Sequence, residues 1–102
     1  MDKEYAFEIA QKYINFLIKN KYPIKNAYLY GSYIKGNFNE NSDIDIAVVL
    51  DSLTDTTEEM FKLMKHRRQF DLRLEPHPFL FKDFNRNNPF ADEILKSGIK
   101  II

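Results

Sequence analysis

Two aspartates one residue apart, Asp43 and Asp45, are the residues of this sequence best suited to chemistry. They open an apolar run that continues to Leu50 and is typical of a buried strand. Side chains alternate between the faces of a strand, so both carboxylates point the same way, about 6–7 Å apart along the backbone. Such a pair repels itself unless a cation or a proton lies between its members, and oxygen ligands of this kind suit Mg²⁺.

A glycine–serine turn precedes the aspartate pair. Gly31 and Ser32 follow the short apolar segment 27–30, and glycine permits a turn that a side chain would block. Backbone N–H groups at the start of a following helix, together with the Ser32 hydroxyl, would form a cradle for phosphate oxygens. Lys35 lies one helical turn further on and would add a positive charge. The turn and the aspartates together predict a nucleotide site.

A further pair of acidic residues, Asp71 and Glu75, lies in a segment of alternating polarity. The alternation predicts a strand over 69–75, and Pro76 and Pro78 are expected to end it. A carboxylate on a strand beside the aspartate pair would complete a cluster of three, as used in two-metal phosphoryl transfer. Both residues fall on the same predicted face, so the spacing leaves them as alternatives.

His77 follows Glu75 after one proline, and such a pair invites a metal-binding interpretation. The flanking prolines and the scarcity of histidine favour a structural or partner-facing role instead. We therefore leave His77 out of the predicted site.

Three helices are expected to position these residues. Apolar residues at three- and four-residue spacing predict a helix over 2–20, with Asp2 as its cap. A capping-box pattern at 55–58 begins a second helix with an apolar stripe of Met60, Phe61 and Met64, and the basic run 65–68 ends it. The third begins at Asn88-Pro89 and ends at Gly98.

The remaining segments complete an α+β arrangement. Residues 26–30 form a strand, the polar stretch 37–41 forms an exposed loop, and the apolar tail 99–102 forms an edge strand or an interface strip. The order of elements predicts a small mixed β-sheet with helices packed on one face.

The composition limits the classes of protein to which this chain can belong. With 102 residues, 44% of them hydrophobic, the sequence predicts a single folded domain over 1–102. Fifteen basic and fifteen acidic residues cancel, which argues against a general nucleic-acid or membrane-surface binder. The absence of cysteine excludes disulfides and thiolate metal sites. No stretch fits a signal peptide or a bilayer span, so we expect a cytoplasmic protein.

The spacing of the turn and the aspartates resembles a known signature. Gly31-Ser32, ten residues and then Asp43-x-Asp45, with Ser42 adjacent, resembles the polymerase-beta-like nucleotidyltransferase superfamily. The small size is similar to its minimal nucleotidyltransferase branch. The resemblance implies transfer of a nucleoside monophosphate: a hydroxyl oxygen attacks the α-phosphorus of ATP or another nucleoside triphosphate, and pyrophosphate leaves.

The resemblance also implies roles for individual residues. Asp43 and Asp45 would bridge two Mg²⁺ ions, and Asp71 would bind the metal nearer the attacking hydroxyl. The residues implied in nucleotide binding are Gly31, Ser32, Lys35 and Ser42. Many relatives carry arginines where this sequence has Tyr33 and Lys35.

Minimal members of the family commonly pair with a separate helical HEPN-type protein in two-gene toxin–antitoxin systems. Some transfer AMP onto a tyrosine of the toxin, so the resemblance implies an antitoxin that adenylylates its partner. The alternative is a non-catalytic antitoxin that neutralises its partner by complex formation. Transfer to a small molecule or to RNA ranks lower, because neither an acceptor segment nor a basic surface is evident.

Overall fold

The structure, a computed structural model, describes residues 2–39 and 41–102. In chain order the elements are α1 (Lys3–Lys19), β1 (Ile24–Tyr30), α2 (Ser32–Lys35), β2 (Ile44–Leu50), α3 (Thr56–Met64), β3 (Leu74–Leu80), α4 (Pro89–Ser97) and β4 (Ile99–Lys100). Two 3-10 turns span Arg67–Gln69 and Phe81–Asp83. The predicted loop at 37–41 is irregular at the residues described, and its residue 40 lies outside them.

The four strands form one mixed sheet in the order β3-β2-β1-β4. Strand β1 runs antiparallel to β2 and β4, whereas β2 and β3 are parallel. The predicted α+β class with a small mixed sheet is confirmed. The apolar tail is an edge strand, and its pairing continues past β4 because the Ile101 N–H donates to the Ala27 carbonyl at 2.7 Å.

One face of the sheet forms the main core against α1 and α3. The Asp2 carboxylate caps α1 by accepting from the Tyr5 N–H at 2.9 Å. The Tyr13 hydroxyl joins the two helices, donating to the Leu63 carbonyl at 2.6 Å. The fully buried residues of this core alternate along the strands and recur along α1: Ala6, Ala10, Tyr13, Ile14, Leu17, Ala27, Leu29, Tyr33, Ile44, Ile46, Val48, Leu50, Leu63 and Leu74.

The opposite face of the sheet carries aromatic side chains. Tyr28 stacks on Phe84, and Phe90 makes edge contacts with Tyr30 and Phe79. Because Phe90 belongs to α4, the last helix packs beside this aromatic face rather than with α1 and α3. Asn88 caps α4 by accepting from the N–H groups of residues 90 and 91, as the sequence predicted.

Strand β3 lies later in the chain than predicted. The prediction of a strand over 69–75 ended by Pro76 and Pro78 was wrong, because both prolines lie inside β3. The sheet order places β3 at an edge. Backbone N–H groups point alternately to the two sides of a strand, so Pro76 and Pro78, two residues apart, share a side. On an edge strand that side can be the one that faces away from β2, where no N–H is needed for pairing. The edge position therefore makes these prolines compatible with a strand.

Helix α3 begins as predicted, but its buried face differs. The Asp55 carboxylate accepts from the Glu58 N–H at 3.1 Å, which confirms the cap. Leu63 is the buried residue of this helix, while Phe61 keeps 69% of its surface exposed. The predicted stripe of Met60, Phe61 and Met64 therefore does not describe the packed face.

Among the residues described, no helix combines the length and the apolar character needed to cross a bilayer.

Candidate active site

Strand β2 holds Asp45 between its two neighbours in the sheet. Asp45 lies opposite Tyr30 of β1 and in register with Glu75 of β3. The Asp45 Oδ1 atom is 3.5 Å from His77 Nε2, which is 3.9 Å from Glu75 Oε1. Ligand atoms of these three side chains all lie within 4.8 Å of one another. The sheet therefore gathers two carboxylates and an imidazole at one point.

Asp43 reaches the same cluster from the residue position just before β2. Its carboxyl group shares a hydrogen bond with Glu75, and this bond is the largest cause of a raised Glu75 pKa. Burial and the negative charges of Asp43 and Asp45 raise that pKa further, whereas His77 lowers it. Carboxylates this close cannot all ionise unless positive charge lies between them. The cluster therefore has the electrostatic character of a cation site.

The Gly31-Ser32 turn lies directly against Asp45. Gly31 has φ +84° and ψ −148°, a combination that only glycine adopts readily. A Cβ atom at this position would collide with the Asp45 carboxylate. The carbonyl of Gly31 accepts from the N–H groups of Ile34 and Lys35, which starts α2 at Ser32. Glycine is therefore required both by the turn and by the carboxylate beside it.

Lys35 lies on the Gly31 side of the site. Both residues line a cavity of about 150 Å³, together with Tyr30, Phe90 and residues of α4. The side chain of Lys35 is exposed. The cavity thus brings an exposed cation and two aromatic rings to the edge of the turn.

Ser42 has a local role in the structure. Its hydroxyl accepts from the Asn39 N–H at 2.9 Å, and its own N–H donates to the Asn39 carbonyl at 3.0 Å. These two bonds close the turn that leads into Asp43. Ser42 therefore orients the start of the aspartate pair, while Ser32 lies at the first position of α2.

Asp71 is paired with the neighbouring Arg73 side chain. It lies in the turn before β3, where its carboxylate accepts from Arg73 Nε at 2.9 Å and from Arg73 Nη2 at 2.7 Å. The hydrogen bonds from the Arg73 side chain are the main reason that the pKa of Asp71 is below its usual range. The strand that was expected to place Asp71 beside the pair does not exist there. Glu75 is the acidic residue in register with Asp45.

Sequence reasoning missed His77 as a member of the cluster. The signal that could have found it is the two-residue spacing from Glu75, which places both side chains on one face of a strand. That inference required a strand running through two prolines. The edge position that permits such a strand is a tertiary property.

The donor set fits a hard divalent cation. Three carboxyl groups supply oxygen ligands, and Mg²⁺ is commonly bound by one or two carboxylates plus substrate phosphates. Glu75, Asp45 and His77 are each about 25–31% exposed at the side chain, so a hydrated ion can reach them. Asp45 and Glu75, with Asp43 hydrogen-bonded to Glu75, are the carboxyl groups that could hold the metal.

Comparisons with known proteins agree with this geometry. Residues 11–102 match the family model described as polymerase beta, nucleotidyltransferase. A candidate protein adenylyltransferase of Methanocaldococcus jannaschii, MJ0141, is 26% identical over 93 residues, which cover 89% of this chain and 90% of that protein.

Two crystal structures show the same fold. A candidate nucleotidyltransferase from Sulfolobus solfataricus superposes with a TM-score of 0.69 at 13% identity, over 96% of this chain and 80% of that one. A toxin–antitoxin structure with AMP-PNP gives a TM-score of 0.65 at 22% identity, over 90% of this chain and 72% of that chain. With its carboxylate cluster, its glycine–serine turn and a family match across most of its length, this chain belongs to the polymerase beta nucleotidyltransferase family.

Proposed function

We propose that this protein transfers AMP from ATP to a hydroxyl group of a partner protein, and that it does so as the antitoxin of a toxin–antitoxin pair. The observation that carries the proposal is the convergence of Asp43, Asp45 and Glu75 against the Gly31-Ser32 turn. The relative from M. jannaschii supports protein adenylylation, and the toxin–antitoxin structure with AMP-PNP supports the biological setting and the nucleotide.

Asp43, Asp45 and Glu75 are the proposed metal ligands. Glu75 replaces Asp71 in this role, because the Asp71 carboxylate is bound by Arg73. Two Mg²⁺ ions, when bound, would neutralise developing charge and hold the attacking and leaving oxygens in line. The chain itself supplies fixed carboxylates from adjacent strands, so the ion positions would be set by a rigid part of the sheet.

The turn and the start of α2 are proposed to hold the triphosphate. The backbone N–H groups of Ser32 and Tyr33, the first two of α2, have no acceptor within the helix by its geometry, so they can donate to phosphate oxygens. Lys35 would add positive charge from the cavity beside Gly31. In the reaction, the acceptor hydroxyl releases its proton to the solvent, its oxygen forms a bond to the α-phosphorus, and the bond from that phosphorus to the departing pyrophosphate breaks.

The proposed partner is a helical HEPN-type toxin. We place both proteins in the cytoplasm, where ATP and Mg²⁺ are available, and we treat residues 1–102 as one minimal nucleotidyltransferase domain. A tyrosine hydroxyl of the toxin is the proposed acceptor, since phenolic oxygen is a good nucleophile once it loses its proton.

Incubation with the protein encoded by the neighbouring gene, Mg²⁺ and α-labelled ATP tests the proposal. The partner should gain about 329 Da per transfer, the mass of AMP minus water, in a metal-dependent reaction. Asp45→Asn and Glu75→Gln should strongly slow the labelling, while Asp71→Asn, the matched control, should label at the parent rate. Absence of label with every nucleotide, despite a stable complex, would contradict the proposal.

A second candidate function is neutralisation by binding alone. A groove of about 430 Å³ is lined by apolar and basic side chains: Phe61, Met64, Lys65, Arg67, Arg68 and Leu72. Phe61 and Leu72 are 69% and 64% exposed, which is unusual for large apolar residues and suits a protein contact. If Asp45→Asn still neutralises the toxin and Phe61→Ser does not, binding rather than transfer is the activity.

A further inference from the structure

His77 presents a nitrogen to the carboxylate cluster. Its Nε2 atom is 3.5 Å from Asp45 Oδ1 and 3.9 Å from Glu75 Oε1. The ring meets Tyr30 edge-on, with 5.8 Å between centroids. Strand β3 fixes the backbone of His77 in register with Ala47, whose side chain is small. The imidazole is therefore supported on one side and aimed at the two carboxylates on the other.

The separations match those between ligands of one metal ion. Metal–ligand bonds of about 2.1 Å place adjacent ligands of an octahedral ion about 3 Å apart and opposite ligands about 4.2 Å apart. The two distances from His77 Nε2 fall within that range. An ion among these three atoms would require only small side-chain rotations.

We propose that His77 supplies its Nε2 atom to the divalent cation held by Asp45 and Glu75, and thereby shifts the metal preference of the site toward the later first-row transition metals. The inference rests on the metal site of the proposed function and adds a ligand to it. Carboxylates suit Mg²⁺ and Mn²⁺, whereas imidazole favours metals further along the series, such as Co²⁺. The site should therefore bind Co²⁺ more tightly than Mg²⁺.

A different role for His77, as a cation paired with the carboxylates, predicts the opposite behaviour. A positively charged imidazole competes with every metal ion, so its removal would tighten Mg²⁺ and Co²⁺ binding by similar factors. A ligand role predicts a loss that is confined to the metals that prefer nitrogen. The metal dependence of one substitution therefore separates the two roles.

The other histidine of the chain provides a matched control. His66 Nε2 lies 3.1 Å from the Tyr22 hydroxyl, and its ring packs against Phe16. The groove beside His66 is lined by one acidic residue, Glu59, together with Lys62, and not by a cluster of carboxylates. His66→Gln removes the same chemical group at a position outside the carboxylate cluster.

The experiment uses the full chain without a histidine tag and measures Mg²⁺ and Co²⁺ dissociation constants by calorimetry. In His77→Gln, the Co²⁺ constant should rise at least about tenfold, while the Mg²⁺ constant should change by less than about threefold. Proton NMR of the Co²⁺ form should show one strongly shifted imidazole ring in the parent protein and in His66→Gln, and none in His77→Gln.

If the Mg²⁺ and Co²⁺ dissociation constants of His77→Gln change by equal factors, or if neither changes, the ligand role of His77 is overturned. If both metals still require Asp45 in that case, as judged with Asp45→Asn, the proposed function stands and only this inference fails. If neither metal binds the parent protein with or without ATP, the metal site itself fails and both proposals fall. The circular dichroism spectrum of each variant confirms that the fold is intact.

Discussion

The two faces of strand β2 serve different purposes: one packs into the core, and the other carries Asp45 of the candidate site. On one face, Ile44, Ile46 and Val48 are completely buried against the helices. On the other, Asp45 lies half-buried beside Glu75 and His77, while Ala47 and Val49 further along that face are buried. A strand supports both because its side chains alternate. The buried face supplies the stability that allows the opposite face to hold unfavourably placed charges.

The substitution Asp45→Asn should have the largest effect, and it tests whether the two faces of β2 act independently. Loss of one charged ligand should lower the rate of AMP transfer by about 10³-fold, because electrostatic stabilisation of the reacting groups is lost. The free energy of unfolding should stay the same or rise, since one of the repelling carboxylates is neutralised. Transfer kinetics and urea denaturation measure the two effects. A large loss of stability would show that the two faces are not independent.

Ile46→Ala should act in the opposite way. The change leaves a cavity in the fully buried core and should cost about 3 kcal/mol of unfolding free energy. Activity per folded molecule should persist, because Ile46 points away from the carboxylates. Ile46→Val, which should cost about 1 kcal/mol, extends the measurement if the alanine variant unfolds. Urea denaturation gives both values, and a loss of metal affinity in folded Ile46→Val would contradict the separation.

Gly31→Ala should lower both the stability of the fold and the metal affinity of the site. The substitution forces a side chain into a positive-φ conformation and against the Asp45 carboxylate, and should cost about 2 kcal/mol of stability along with metal affinity. Gly36→Ala is the control, since Gly36 has the same φ of +84° with nothing within 4 Å of an added Cβ. The control should lose about 1 kcal/mol and keep its metal affinity. Similar metal affinities for the two variants would refute the role given to Gly31.

Asp71→Asn sharpens the distinction between the two acidic residues near β3. The two bonds to Arg73 are charge-assisted, and their loss should cost about 1–2 kcal/mol at neutral pH. Because the folded pKa of Asp71 is lowered, this stability is present above its unfolded pKa and is lost as the pH falls through the folded value. The difference between parent and variant, followed by denaturation from pH 7 downward, should therefore shrink in acid.

The metal affinity of Asp71→Asn provides a separate check. It should equal that of the parent protein, whereas Glu75→Gln should bind Mg²⁺ more weakly. The reverse result, with Asp71→Asn impaired and Glu75→Gln normal, would restore Asp71 as the third ligand.

The sequence by itself determined the elements that local rules specify. Asp2, Asp55 and Asn88 cap their helices as predicted, because a cap depends on a side chain and the N–H groups two or three residues away. The glycine–serine turn and the start of β2 were equally local. The aspartate pair could thus be identified from its spacing alone.

Only the tertiary structure decided which other side chains join that pair. Proline ends a central strand but is tolerated at an edge, and whether β3 is an edge depends on the order of all four strands. Because β3 is an edge strand, it can run through both prolines and continue to Leu80. It thereby placed Glu75 and His77, rather than Asp71, beside Asp45. Register between strands is a long-range property, so the third carboxylate and the histidine could not be assigned until the sheet was assembled.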